Sequence, residues 1–566
     1  MQQSMAKAGS IVRETLRYAY RVMRRYAFWI SIAAVATWII LLSLSFYYII
    51  IVRNFIDYLV SLASVHGAGF RGKLLWFVVV LLVLWSARYL LNILGEYLLR
   101  LAAIRTLRGL AIEFIGRLVK AKPGSVPERG DVIGRFVSDL AKVSELGGLV
   151  PALSVQVARF LIGGLLLYVL NVYLFVLALA AIPVYYVVFR VSSRKLAEAS
   201  EQERKEFAAI SSIVKRVVDS LLFIRLYRSI RDYLWSRYRM GIESWGSKLA
   251  KVLFYDVFFN QSFNSLYEVI RVIVLVAGGF LVAAGRASVG DIVAFSTAVY
   301  QVYEPIANIS YSLAALGETY PYLARVREVL EAEVEEEDKG AGLERVDSIS
   351  LREVSVTVDK KRILENVSAE FLAGHVYAIV GQTGSGKTTL LLTIARYFEP
   401  ERGVVLINGS DYRVYSISSI RSKIAYLPQT PLVFRASLRE NLTLGRRVPE
   451  EKLRRALEVA RIDFVKSLDE AVDPEKLSDG QKQRIALARV LVMEPDVLLL
   501  DEALNAVDEA TEAHILSKLR DEISKGRLRM VVIVTHRSST LSLVDHTYTL
   551  VNKGIVPGNL LGTIGV

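Results

Sequence analysis

Cysteine is absent from the 566 residues. That excludes a disulfide framework and any metal site built on thiolates. Histidine is scarce, five residues in all, so each one's position is informative. No low-complexity tract interrupts the chain. No small-residue cleavage site follows the first apolar run, which is too long for a signal-peptide core, so the N-terminus is expected to be retained. What the chain has instead is apolar residues, 53% of the total. That is too many for an average soluble protein and requires part of the chain to lie in lipid. The net charge of +14 is carried beside apolar runs rather than on a polar domain. Anionic lipid at the cytoplasmic face is therefore the expected partner, and nucleic acid is not.

Residues 11–26 carry Arg13, Arg17, Arg21, Arg24 and Arg25 among Ile11, Leu16, Tyr18, Tyr20 and Met23. This pattern predicts an amphipathic helix on the inner membrane face. Six apolar segments follow, at about 27–51, 74–99, 149–170, 171–191, 254–284 and 289–318, each long enough to span. Polar helical stretches at 100–148 and 192–253 are rich in Arg and Lys, including Arg105, Arg108, Lys195 and Arg216. The segments near 52–73, 171–173 and 285–288 carry few charges. The positive-inside rule then predicts a multi-pass protein of the cell membrane with both long stretches and both termini in the cytoplasm. Asn92, Glu96, Gln156, Arg159, Asn260, Gln261, Asn264, Glu268 and Arg271 interrupt the apolar segments. They fit a polar translocation path, interhelical pairing, or span ends already in water.

Residues 331–338 hold six acids in eight positions, a composition that predicts a solvated linker. Beyond it short apolar runs alternate with helical patterns, at 376–380, 404–407, 424–427, 497–500 and 530–534, as in an α/β domain. The expected domains are 1–330 in the membrane, 331–344 as acidic linker, and 345–566 as a nucleotide domain.

Gly381-Gln382-Thr383-Gly384-Ser385-Gly386-Lys387-Thr388-Thr389 follows the run 377–380. A buried strand feeding a glycine turn and a helix is the setting a phosphate-binding loop requires. Backbone N–H groups form a nest for the phosphates, and the helix adds its positive end. Lys387 supplies a point charge for the β- and γ-phosphates, and the Thr388 hydroxyl is placed for Mg²⁺. A mere surface loop would not sit between an apolar strand and an apolar helix. A second apolar run, 497–500, ends in Asp501 and Glu502. Asp501 can hold Mg²⁺ through water, and Glu502 can orient or deprotonate the attacking water. Gln429 follows a third strand, and its neutral amide can touch both Mg²⁺ and water. His536 follows a fourth, where it could hydrogen-bond the γ-phosphate.

These residues resemble the ATP-binding cassette family, and the whole chain resembles an exporter-type half-transporter. Leu477-Ser478-Asp479-Gly480-Gln481 matches the family's signature sequence. Asn505-Ala506-Val507-Asp508 matches its D-loop, and His536 its switch histidine. Residues 129–135 with Asp139 look like the first cytoplasmic coupling region. The resemblance implies an all-α six-helix transmembrane domain with long cytoplasmic extensions, followed by an α/β P-loop NTPase domain with a helical subdomain. It implies ATP and Mg²⁺ as cofactors, and a dimer in which each nucleotide lies between one subunit's phosphate loop and the other's signature.

Three departures from the family pattern stand out. Asp479 replaces a signature glycine. Its carboxylate near a γ-phosphate would meet roughly 4 kcal/mol of repulsion at about 4 Å and an effective dielectric near 20. Val358 stands where an adenine-stacking aromatic is usual. The stretch 467–476 before the signature is short. The expectation is an intact catalytic half-site with a weakened signature. Such a chain fits one half of a heterodimeric exporter or flippase whose second half-transporter carries the better signature and lacks a glutamate equivalent to Glu502; the alternative is a homodimer that tolerates Asp479 twice. The substrate is unidentified, small or lipidic. The rival expectation is a nucleotide-gated or regulatory subunit that binds ATP without productive transport.

Overall fold

The computed structural model describes residues 2–62, 70–127, 129–358 and 360–558. Contacts divide the chain into two compact units, residues 1–117 with 128–331 and residues 118–127 with 332–566.

The first unit is helical. Its main helices are α1 (Gln2–Val22), α2 (Phe28–Leu62), α3 (Phe70–Lys120), α4 (Leu146–Leu170), α5 (Val172–Asp219), α6 (Arg228–Ala283), α7 (Val289–Ala298) and α8 (Tyr300–Leu330). Among the described residues five helical segments are long and apolar enough to cross a membrane, at 10–61, 72–120, 131–170, 172–219 and 228–283. The sixth expected span, 289–318, is divided at Val299 into α7 and α8. It also carries Glu304 and Pro305, which lower its apolar character. Asn171 makes the tight turn between α4 and α5, its side chain accepting from the Tyr173 and Leu174 amides. That is an N-cap, which satisfies donors the helix leaves open. A Ser288–Asp291 capping box starts α7. Asp57 on α2 accepts from Ser288 Oγ and the Gly290 amide, both at 2.8 Å. Gly290 is required there, because a Cβ would meet the Arg53 carbonyl at 2.4 Å. Part of the expected outer segment 52–73 is helical through Leu62, and residues 63–69 lie outside the described ones.

The polar stretch 192–253 forms a helical hairpin of α5, a short helix (Leu221–Leu226) and α6. Trp245 Nε1 donates to Glu203 Oε1 at 2.6 Å across it. In the region read as a coupling motif, Arg135 and Asp139 are buried. Arg135 holds Asp131, Glu328 and the Arg325 carbonyl. Asp139 accepts from Arg325 at 2.9 Å. These two residues thus anchor the start of one helix to the end of α8.

The second unit is α/β. Its strands are β1 (Ser348–Val358), β2 (Lys361–Leu372), β3 (Val376–Gly381), β4 (Arg402–Ile407), β5 (Ser410–Asp411), β6 (Ile424–Leu427), β7 (Ala436–Ser437), β8 (Ala471–Val472), β9 (Val497–Asp501), β10 (Met530–Val534), β11 (His546–Val551) and β12 (Gly554–Pro557). One sheet runs β12-β11-β3-β10-β9-β6, parallel except for β12. A second, antiparallel sheet runs β2-β1-β4-β5. Strands β3, β9 and β10 are buried along their whole length. Both faces of a parallel sheet are covered, which is why these strands read as unbroken apolar runs.

The acidic segment is not wholly solvated. Ala332 and Leu343 are buried, and Val334 forms a β-bridge with Ala121. Glu335 is nearly buried because Arg421 pairs with it at 2.6 Å. One cation is enough to bring one of six acids out of water.

Candidate nucleotide-binding site

The ends of the parallel strands build the site, as expected for an open α/β sheet. β3 runs into the loop 381–386, and helix α9 (Lys387–Ile394) starts at once. Gly384 (φ 82°) and Gly386 (φ 106°) hold left-handed backbone, which side-chain-bearing residues avoid. At Gly386 a Cβ would also meet Ile363 and Leu364 side chains at 3.0 Å. No side chain caps α9, so its first-turn amides, at Lys387, Thr388 and Thr389, remain available to an anion. Ser385 Oγ is buried without a partner. Glycine cradle, uncapped helix start and orphaned hydroxyl together fit a phosphate chain.

Lys387 is buried, and its Nζ donates to the carbonyls of Gly381 (2.8 Å) and Gln382 (3.0 Å). Burial pushes its pKa down, and the nearby carboxylates of Glu502 and Asp501 oppose that shift. Asp501 is buried at the end of β9 and accepts from Tyr426 Oη at 2.8 Å. That bond, after burial, helps push the Tyr426 hydroxyl up, so it stays a donor. Thr388, Asp501 and Gln429 offer the hydroxyl, carboxylate and amide oxygens that suit Mg²⁺. Among the described residues no group of three or more His, Asp or Glu side chains could hold a metal unaided. Mg²⁺ in nucleotide sites leans on phosphate oxygens in the same way.

Glu502 is the centre of a convergence. Its Oε2 accepts from Gln429 Nε2 at 3.0 Å and Asn505 Nδ2 at 3.2 Å. Its Oε1 lies 3.2 Å from His536 Nε2. Strand register produces this. Leu427 pairs with Leu500 across β6 and β9, and Val534 with Asp501 across β10 and β9. Gln429, Glu502 and His536 each lie just beyond a strand end, so the three meet at one edge. Glu502 has φ 51°, a left-handed conformation sparsely populated by residues other than glycine.

The signature serine, Ser478, caps helix α10 (Asp479–Val492). Its Oγ accepts from the Gln481 amide at 3.2 Å, and Gln481 Oε1 accepts from the Ser478 amide at 2.9 Å. Leu477 packs against the hydrophobic core. Gly480 faces the D-loop, where a Cβ would meet the Ala506 carbonyl at 2.6 Å. Asp479 does not crowd that approach. Its side chain is 81% exposed and pairs with Lys482 at 3.0 Å. Part of its charge is thus met by a neighbour one helical turn on. The stretch 467–476 contains β8, which pairs with β7. Gln429, Asp479, Lys482, Glu502 and Asn505 line one cavity of about 770 Å³.

Asp508 caps helix α11 (Glu509–Ser524), accepting from the Thr511 amide at 2.9 Å. That backbone bond is the main reason its carboxyl lies below the usual range. Val358 packs partly buried against the core at the end of β1. Sequence reasoning missed Arg537. Its guanidinium donates to the carbonyls of Val507 (2.7 Å) and Asn505 and to Glu512 (2.6 Å). It also missed the role of Gln483, whose Oε1 accepts from the Ala506 amide at 3.1 Å. The D-loop is thus clamped from the switch side and from the signature helix. Only adjacence to His536 could have drawn attention to Arg537.

The model of the ABC transporter transmembrane region matches residues 26–306, and that of the ABC transporter family matches residues 364–505. The ATP-dependent lipid A-core flippase of Desulfotalea psychrophila is 28% identical over 447 residues, 75% of this chain and 76% of that one. The probable multidrug resistance ABC transporter ATP-binding/permease protein YheI of Bacillus subtilis is 28% identical over 501 residues, 85% and 84% of the two chains. A solved structure of a bacterial Atm1-family ABC exporter with ATP bound superposes with a TM-score of 0.76 at 21% identity, covering 94% of this chain and 96% of that one. That likeness shows the fold.

Proposed function

The chain belongs to the ABC transporter family, as a multi-pass membrane protein with a cytoplasmic nucleotide domain, and on that premise we propose that it is one half of an ATP-driven exporter or flippase. The observation that carries the ATPase reading is the convergence of Gln429, Asn505 and His536 on Glu502. In the proposed reaction the oxygen of a water molecule bonds to the γ-phosphorus as the bond to the β,γ-bridging oxygen breaks. Glu502 orients that water and takes up its proton. His536 fixes the position of Glu502 and reaches toward the γ-phosphate. The amides of 387–389 and the Lys387 ammonium, released from the Gly381 and Gln382 carbonyls, hold the phosphate chain. Mg²⁺, held by Thr388, Asp501 and Gln429, would neutralise phosphate charge. Tyr426 keeps Asp501 aimed by its hydrogen bond.

The proposed assembly is a heterodimer. Leu477, Ser478, Asp479, Gly480 and Gln481 act in trans, on the partner's nucleotide. Asp479 brings a carboxylate to that site, and Lys482 offsets it only in part, since exposed pairs contribute about 0–1 kcal/mol. The partner would supply a signature without that charge. The cargo is proposed to be amphipathic or lipidic, in keeping with the lipid A-core flippase and multidrug relatives, and the site of action to be the cell membrane. Transport into inverted vesicles tests the reading. ATP-dependent accumulation that disappears with Lys387→Ala is expected. Passive flux opened by nonhydrolysed ATP would instead identify a gated channel.

A further inference from the structure

The first unit holds an open-sided cavity of about 610 Å³ among its spanning helices. Its charges are treated unequally. Arg159 on α4 is neutralised by Glu304 on α8, with both guanidinium nitrogens on the carboxylate. Asn308 adds a bond to the same carboxylate at 3.3 Å. Arg88 on α3 has no such partner. Its Nε donates to the neutral Ser45 Oγ at 3.0 Å, and its guanidinium lies 4.7 Å from the Tyr48 ring centroid. Neither of these contacts supplies a carboxylate. Yet Arg88 is half-buried and sits near the middle of an apolar run. A guanidinium at that depth is costly without a counter-charge. Beside it Trp85 and Tyr89 stack with their rings 5.7 Å apart, both exposed and both lining the cavity. Trp38, 8% exposed, lines it too, and its Nε1 has no partner. Glu96 is two helical turns from Arg88, about 12 Å along the axis. At that range it repels an anion about a third as strongly as Arg88 attracts one at 4 Å.

We propose that this cavity binds an amphipathic organic anion, its phosphate, sulfonate or carboxylate headgroup on Arg88 and its apolar body against Trp85 and Tyr89. The inference rests on the exporter reading and names its substrate class. Arg88 suits the task because its planar fork meets such headgroups with two parallel hydrogen bonds. The neutralised Arg159–Glu304 pair holds the wall together and leaves Arg88 as the cation without a carboxylate in contact, on a lining that also carries Glu96.

The test is equilibrium binding to the full chain in phosphatidylcholine nanodiscs without ATP, read by the fluorescence of the cavity tryptophans. The probes are dodecyl phosphate and its neutral counterpart dodecanol. Wild type is expected to prefer the phosphate. Arg88→Gln should weaken phosphate binding by roughly tenfold or more, the scale of a charged hydrogen bond in a partly dry site, and leave dodecanol unchanged. Arg88→Lys should restore most of it, and Glu96→Gln should tighten it. Equal phosphate binding by wild type and Arg88→Gln, or no preference in wild type, overturns the proposal. Should Arg88→Gln fail to fold, unchanged binding by Glu96→Gln overturns it as well. Replacing part of the lipid with phosphatidylglycerol identifies the source. Competition with dodecyl phosphate supports a membrane-borne anion at Arg88, and its absence alongside the Arg88 effect supports a soluble one. Because no ATP is present, failure here leaves the exporter reading standing, and that reading fails separately if Lys387→Ala still transports.

Discussion

The phosphate-loop edge and the signature helix belong to one nucleotide domain, yet they are equipped differently. At the strand edge the expected carboxylates each have partners that hold them in place. Glu502 is held by Gln429, Asn505 and His536, and Asp501 by Tyr426. At the signature, Ser478 and Gln481 form a complete capping box, but the next residue puts an exposed carboxylate on the helix start. An acid in the first turn stabilises the helix through its dipole, and in the proposed dimer the same charge would oppose a phosphate brought there by a partner. The lesson is that a position can be favourable for folding and unfavourable for its task in trans.

Four substitutions probe that contrast, in decreasing order of effect. Glu502→Gln should lower ATP turnover by roughly 10²–10⁴-fold, the usual worth of a positioned general base, with nucleotide binding retained. Phosphate release and equilibrium nucleotide binding, measured on one preparation, check this. Arg537→Ala should release the D-loop carbonyls of Asn505 and Val507. A loss of kcat of roughly ten- to a hundredfold is expected, with the KM for ATP nearly unchanged and partial rescue by Arg537→Lys. Equal effects on kcat and KM would reduce Arg537 to a packing residue. Asp479→Gly should raise turnover by roughly two- to tenfold, the range of a partly screened charge.

The smallest effect concerns pH. The folded-state pKa of Asp508 is depressed, because its carboxylate accepts the Thr511 amide. Its cap therefore contributes stability above the unfolded-state pKa, and that contribution is lost as pH falls through the folded-state value. The Tm gap between wild type and Asp508→Ala should narrow as pH drops below about 4. A gap that widens there would contradict the capping account.

Much of this was legible in the chain. Buried parallel strands announce themselves as apolar runs, and the motif order 381–389, 429, 477–481, 501–502 and 536 fixed which strand ends should meet. The pairing of Asp479 with Lys482 was also within reach, since residues three apart share a helix face. Other features depend on long-range register that local pattern does not carry. Arg537 reaches the D-loop only because β9 and β10 lie side by side. Glu304 meets Arg159 across 145 positions of chain. The acidic segment was read from composition alone, which averages over its residues. It could not single out Glu335, whose partner Arg421 lies 86 positions away. The division of 289–318 at Val299 had no punctuating glycine or proline at that residue to signal it.

In the proposed exporter the catalytic edge is whole and the signature is the weak part. The most direct test is ATP hydrolysis by the purified chain alone, compared among wild type, Asp479→Gly and Asp479→Gly with Glu502→Gln. Slow turnover in wild type, a rise with Asp479→Gly, and loss of that rise when Glu502→Gln is added are predicted. Brisk wild-type turnover that depends on Glu502 and is unmoved by Asp479→Gly would contradict the account.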